Sequence, residues 1–242
     1  MQRDTGRNTG EKSVRARSKR LALDRSYVPL TKNVSRVPDY YHGTELIIVG
    51  DTYEPAEDSY AILEVVHNLS LPASKDKPRM CADIGCGSGI LTLELCFLCK
   101  EVIAIDLSPD AVASTSINMK NSVGKHKCLW HVVQGDGVAS LRREELFEVV
   151  LFNPPYLPVR DAGWAGIAWS GGYEGIEVFL RISRDVYNVL DYGGKYVFLL
   201  SSLGNVSRAI TELRNMGYDV VMRSVQKFFF EELYVYEASK VA

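Results

Sequence analysis

No apolar run in the chain approaches the ~18 residues that cross a bilayer, and no secretory leader pattern opens it. A helical membrane anchor is thereby excluded, and a soluble protein is expected. Cysteine is scarce: the five residues are an odd number without framework spacing, which argues for free thiols in a reducing compartment. The cytosol is the expected location, with a nuclear pool open to it. Cys96 and Cys99 stand at metal-ligand spacing, but no second pair follows at zinc-site distance. They are read as core packing on an apolar helix. The four histidines, His42, His67, His126 and His131, are scattered, and none forms a nucleophile motif with a serine or cysteine. No internal repeat is present.

What is there suits one α/β domain with some decoration: 242 residues, 46% hydrophobic and 24% charged, enough to bury a sizeable core. A net charge of −2 hides an asymmetry. Residues 1–36 carry ten Lys/Arg against three Asp/Glu, whereas the remainder is acidic by nine. Residues 1–37 are therefore read as a basic, disordered arm, in which Arg15 to Arg20 is a weak nuclear-targeting patch. Residues 38–242 form the folded domain. An acidic body disfavours a nucleic-acid channel.

Short apolar strands alternate with amphipathic helices from Arg79 onward. Strands are expected at Met80 to Ile84, Val102 to Ile105, Leu129 to Val133, Val149 to Phe152, Gly194 to Leu200, Tyr218 to Val225 and Leu233 to Glu237. Helices are expected at Ile90 to Leu98, Pro109 to Asn121, Gly175 to Leu190 and Val206 to Met216. Such alternation predicts a mainly parallel sheet with helices on both faces. The linker Gln226 to Glu232 is too short for a helical crossover, so the last two strands must run antiparallel. Ahead of this unit, Pro38 to Gly43 reads as a turn and Leu46 to Val49 as a strand. Phe228, Phe229 and Phe230 are expected to pack inward. Pro55 fits the first turn of a helix whose start is rich in acids (Glu54, Glu57, Asp58) and carries Ser59. These acids serve either capping or the grip of a cation or an amino group.

Chemistry concentrates at strand ends. Asp83-Ile84-Gly85-Cys86-Gly87-Ser88-Gly89 joins the Met80 strand to its helix. A dinucleotide fingerprint has glycine at its first, third and sixth positions; here the sixth is Ile90 and the fifth is Gly89. Asp83 would repel a pyrophosphate but suit a cationic amino-acid end, which favours S-adenosylmethionine over NAD. Asp106 ends the next strand, where an acid takes ribose hydroxyls. Asp136, with Gly137, follows the third strand and is placed to accept from an adenine amine. Finally, Asn153-Pro154-Pro155-Tyr156 follows the Val149 strand. Two prolines hold Asn153 extended at the edge where open parallel sheets bind ligands, and Tyr156 offers a flat wall.

Tyr53 to Ser59, Asp83 to Gly89, Asp106, Asp136, Asn153 to Tyr156 and Trp169 to Gly175 together resemble the HemK/PrmC family of class I methyltransferases, in its short eukaryotic and archaeal branch. The resemblance covers about Tyr53 to Glu237; the basic arm departs from it. It implies methylation of the side-chain amide nitrogen of glutamine in the Gly-Gly-Gln motif of a class 1 peptide-chain release factor. It also implies roles: the Asn153 side chain and the Pro154 carbonyl accept the two amide N–H bonds, Tyr156 packs on the amide and Pro155 stiffens the loop. Ser59, Asp83 and Gly85 hold the methionine end of S-adenosylmethionine, with Gly87 and Gly89 in the same loop. Asp106 holds the ribose, Asp136 with Gly137 the adenine side, and Asn153 contacts the cofactor as well as the acceptor. A small zinc-binding activator protein covering a sheet edge, in a heterodimer, is the implied partner. Alternatives are a nucleic-acid adenine N6-methyltransferase, since a base amine presents similar geometry, a protein-lysine methyltransferase, and a non-catalytic scaffold.

Overall fold

The computed structural model describes residues 32–69, 77–122, 124, 126–141, 147–160, 166 and 168–240. Most of the basic arm, with its Arg15 to Arg20 cluster, lies outside them. Elements run in the order β1 (Val34–Asp39), β2 (Thr44–Val49), α1 (Glu57–His67), β3 (Met80–Ile84), α2 (Ile90–Leu98), β4 (Glu101–Asp106), α3 (Pro109–Asn121) and β5 (Leu129–Gln134). Then follow β6 (Phe147–Phe152), α4 (Glu177–Val189), β7 (Leu190–Ser201), α5 (Val206–Asn215), β8 (Tyr218–Lys227) and β9 (Glu232–Lys240).

Seven strands form one sheet in the order β5-β4-β3-β6-β7-β9-β8. β9 runs antiparallel to both its neighbours, as the short linker demanded, while the remaining pairs are parallel. This is the class I methyltransferase fold. Alternation along β7 shows why both faces need cover: Tyr196, Phe198 and Leu200 pack on one side, Val197 and Leu199 on the other. α4 and α5 close the first side, with Phe179 and Leu213 fully buried. α1 and α2 close the second, through Ile62, Leu63, Leu93 and Leu95. The chain order reverses between β3 and β6, which pair Asp83 with Leu151 and Ile84 with Phe152. The glycine loop and Asn153 each directly follow one of these adjacent strands. The topology therefore brings them together at one crevice.

Four expectations are corrected. First, a strand, β1, begins at Val34, inside the stretch read as arm, and pairs antiparallel with β2. Its solvent-facing side chains hide it from a hydrophobic pattern; pairing with β2 holds it. The free edge of β2 is satisfied by α3: Asn118 accepts from Ile47 N–H at 2.7 Å and donates to Ile47 C=O at 2.9 Å, and Ser114 accepts from Val49 N–H at 2.9 Å.

Second, the cysteines are not all free thiols. Cys81 on β3 and Cys99 beyond α2 form a disulfide, leaving Cys86, Cys96 and Cys128 as thiols. Their separation of 18 positions carries no hint that the fold sets their Cα atoms 6.4 Å apart. The argument for a reducing compartment loses its premise.

Third, Phe229 and Phe230 are 92% and 84% exposed. They form the tip of the tight β8–β9 turn, closed by Phe228 N–H donating to Glu231 C=O at 2.8 Å, and project past the end of the sheet. Fourth, Pro55 precedes the helix, since α1 is capped at Ala56 and begins at Glu57.

Candidate active site

At the C-terminal ends of β3, β4 and β6 lies a cavity of about 780 Å³. Its glycine loop is held by backbone bonds: Gly85 N–H and Cys86 N–H both donate to Ile105 C=O, at 2.8 and 3.1 Å. Gly85, Gly87 and Gly89 all have positive φ, which lets the loop turn sharply without strain. Gly85 and Gly87 line the cavity. Gly89 does not. It is the N-cap of α2, and a Cβ there would press on Thr115 of α3 at 3.1 Å, so its glycine serves helix packing.

Asp83 is likewise not part of the wall. It is fully buried beneath the loop, where Oδ2 accepts from the Thr92 hydroxyl at 2.5 Å and Oδ1 has no partner. Burial, together with the nearby Asp106 charge, raises its pKa to about 7 against the Thr92 bond. Asp106 does line the cavity. Its two oxygens accept from Gly87 N–H at 2.9 Å and Ser108 N–H at 2.8 Å, which brace loop and strand end together. Burial raises its pKa, and those backbone bonds oppose the rise. Asp136 and Gly137 also line the cavity. The Asp136 carboxylate is forked by Arg181 of α4, at 2.7 and 3.0 Å, a partner invisible in the local sequence.

Next to the glycine loop, beyond the end of the adjacent strand β6, stand Asn153, Pro154, Pro155 and Tyr156, with Ser59 at the start of α1. Asp58 joins them. It is 3% exposed, whereas Glu54 and Glu57 lie at the surface. Its Oδ1 accepts from Ser59 N–H at 2.6 Å and the Ser59 hydroxyl at 3.2 Å. Its Oδ2 accepts from the Tyr53 hydroxyl at 3.1 Å and from Asn153 Nδ2 at 3.0 Å. Burial and the Asp58 charge push both the Tyr53 and Tyr156 phenols up. Of the acids of this stretch, Asp58 takes a first-turn helix N–H and also binds the asparagine, and it lines the cavity. A signal existed, since Asp58 falls on the same helical face as Ala61 and Ile62 and was bound to be buried.

The Trp169 to Gly175 segment folds back onto the Asn-Pro-Pro-Tyr loop. Leu157 N–H donates to Trp169 C=O and Gly171 N–H to Leu157 C=O, both at 2.9 Å. Gly171 has a second duty: a Cβ there would fall 2.8 Å from the Pro155 carbonyl oxygen and 2.7 Å from that of Gly175. Trp169 and Ser170 reach the cavity wall through this contact.

Residues 62–165 match the methyltransferase small domain family. An inferred protein N5-glutamine methyltransferase of Methanocaldococcus jannaschii is 32% identical over 205 residues, covering 81% of this chain and 95% of that one. The eRF1 methyltransferase catalytic subunit of Schizosaccharomyces pombe is 27% identical, covering 73% and 84%. Among solved structures, the E. cuniculi Mtq2-Trm112 complex, which methylates the eRF1 termination factor, superposes with a TM-score of 0.61 at 27% identity, covering 78% of this chain and 99% of that one. Fold, cavity and relatives agree: the chain belongs to the HemK-type protein N5-glutamine methyltransferases.

Proposed function

We propose that the protein transfers a methyl group from S-adenosylmethionine to the side-chain amide nitrogen of the Gly-Gly-Gln glutamine in a class 1 peptide-chain release factor. One observation carries the proposal. Asn153 Oδ1 is buried and without a partner, while Nδ2 of the same amide is spent on Asp58. Beside the cavity, the asparagine therefore offers an acceptor. With the Pro154 carbonyl it makes a two-acceptor edge, which suits a planar NH₂ group with two N–H bonds. The names of the relatives, several of which act on release factors, supply the identity of the substrate.

The cavity also fits the donor. S-adenosylmethionine, when bound, supplies an electrophilic methyl group on sulfur. Asp106 retains lone pairs for ribose hydroxyls beyond its two backbone bonds. Ser59 and Gly85 hold the methionine end, with the unpartnered Asp83 Oδ1 behind them as a sink for its positive charge. Asp136 and Gly137 border the adenine side, with Arg181 fixing the Asp136 carboxylate.

An amide nitrogen is a poor nucleophile because its lone pair is delocalised, and its positive charge grows as it attacks. Two oriented carbonyl dipoles aimed at its N–H bonds stabilise that charge and fix the line of approach. The methylated nitrogen becomes acidic and loses its proton without a dedicated base. Tyr156 stacks on the amide plane, and Pro155 keeps the loop rigid.

A small partner belongs to the same proposal. Strand β5 ends the sheet with one free edge, and Leu129 at its start is 66% exposed. An activator of the zinc-binding kind would cover it. The deciding experiment offers a release factor, its Gln→Ala variant and duplex DNA as competing acceptors of tritiated methyl, with activator present. Label on the intact release factor alone is expected. Label on DNA alone, or undiminished label on the Gln→Ala variant, overturns the proposal.

A further inference from the structure

We infer that Asp58 is a positioning residue: it locks the Asn153 amide in one of its two orientations, and this lock is what selects glutamine over glutamate. The inference rests on the function proposed above and deepens it.

An asparagine amide is nearly symmetric in shape, and only its hydrogen-bond partners decide which end points where. A carboxylate accepts and never donates, so the end of Asn153 that meets Asp58 Oδ2 at 3.0 Å must be the NH₂ group. Oδ1 is consequently the end left without a partner, on a residue that lines the cavity. The carboxylate is itself immobilised, by Ser59 N–H and Oγ on Oδ1 and by the Tyr53 hydroxyl on Oδ2. The Ser59 N–H belongs to the first turn of α1 and cannot turn away. This gives a relay of fixed polarity: helix N–H, carboxylate, asparagine NH₂, asparagine oxygen, substrate NH₂.

The polarity matters because a glutamate side chain has the same shape as glutamine but only acceptors. With Asn153 locked, glutamate oxygens would face the lone pairs of Asn153 Oδ1. A flipped asparagine would present N–H instead and welcome the carboxylate.

Asp58→Asn reverses the relay at nearly constant shape. The fixed Ser59 N–H still requires an oxygen, so the new side-chain NH₂ must face Asn153, whose amide then flips to meet it. The experiment measures turnover of the release factor and, with S-adenosylhomocysteine bound, the Kd of the release factor and of its Gln→Glu variant. Cofactor affinity and Tm check that the variant folds. Relative to wild type, kcat/KM for the glutamine acceptor is expected to fall about 100-fold. Cofactor affinity should stay within about threefold, since the substitution keeps the side-chain shape and the oxygen that meets Ser59 N–H. The preference for glutamine over glutamate should shrink by about tenfold or more. If Asp58→Asn does not fold, Asp58→Ala is read by the same ratio, which then moves toward one because the amide is unlocked.

Wild-type turnover in the variant overturns the inference, as does equal weakening of both acceptors, the mark of a merely structural residue. Failure of the wild-type enzyme to methylate the release factor at all would instead overturn the proposed function.

Discussion

Asp83 is wholly buried with one oxygen lacking a partner, and its pKa of about 7 makes the ligand-free protein sensitive to pH. The pKa is raised from 3.8, so between the two values the folded protein keeps a proton that the unfolded chain has released. Stability from this group is therefore lost as pH rises through that window, by at most about 4 kcal/mol. Asp83→Asn removes the dependence. The Tm of the variant relative to wild type should climb between pH 5 and pH 8, and a flat difference would mean that Asp83 ionises freely. In the cavity wall, Asn153→Ala should cut methyl transfer by about 1,000-fold. Calorimetric titration should show cofactor affinity within a few fold. At this scale the strand-end residues Asn153 and Asp106 were legible, because chain topology alone carries them to the cavity. The Asp58–Asn153 bond and the Arg181 fork on Asp136 were not, because each joins residues far apart in sequence through side-chain placement that no local spacing encodes.

Among the elements, the β1–β2 hairpin depends most on a few groups. Asp39 accepts from the Tyr41 and His42 N–H groups that form its turn, and from His42 Nδ1 at 2.8 Å. His42 Nε2 meets Glu94 of α2 at 3.1 Å, and Glu94 also meets His67 of α1 at 3.3 Å. Burial lowers the His42 pKa, but hydrogen bonds and charge from Asp39 and Glu94 overcome it and raise the value to about 9. This stabilisation is complete below about 6.5 and disappears as pH rises through 9. His42→Ala should thus cost about 2–3 kcal/mol at pH 6 and much less at pH 10, read as the change in Tm. The disulfide closes a loop of similar size to those that contribute about 3 kcal/mol, so reduction should lower Tm by several degrees. An unchanged Tm would show that the bridge is dispensable. Helix α2 and strand β3 were readable to the residue and α3 closely, since proline, glycine and apolar runs mark their ends. β1 was not readable, because its side chains carry no apolar stripe and its order comes from β2.

For the whole molecule, the acidic body followed from the charge count, the seven-stranded sheet with helices on both faces from strand-helix alternation, and the antiparallel last pair from linker length. What lay beyond reach was how the second layer continues into the N-terminal hairpin, whose attachment runs through Asn118 and Ser114. The free edge of β5 yields a prediction at this scale. Adding the activator should slow hydrogen exchange of the amides in Leu129–Gln134 by at least tenfold, while β8 at the other edge stays unaffected. Protection confined to β8 would move the partner to the opposite side.

Gly171 sets a dimension. Its missing side chain is the clearance between the Trp169 to Gly175 segment and the Pro155 carbonyl, and even a methyl group would act as a wedge driven between them. The spacing between that segment and the Asn-Pro-Pro-Tyr loop is therefore machined by subtraction, and it has no adjustable part at that point. Remodelling the cavity wall at this place has to work through the side chains of Trp169 and Ser170, which line it, and leave the spacer alone.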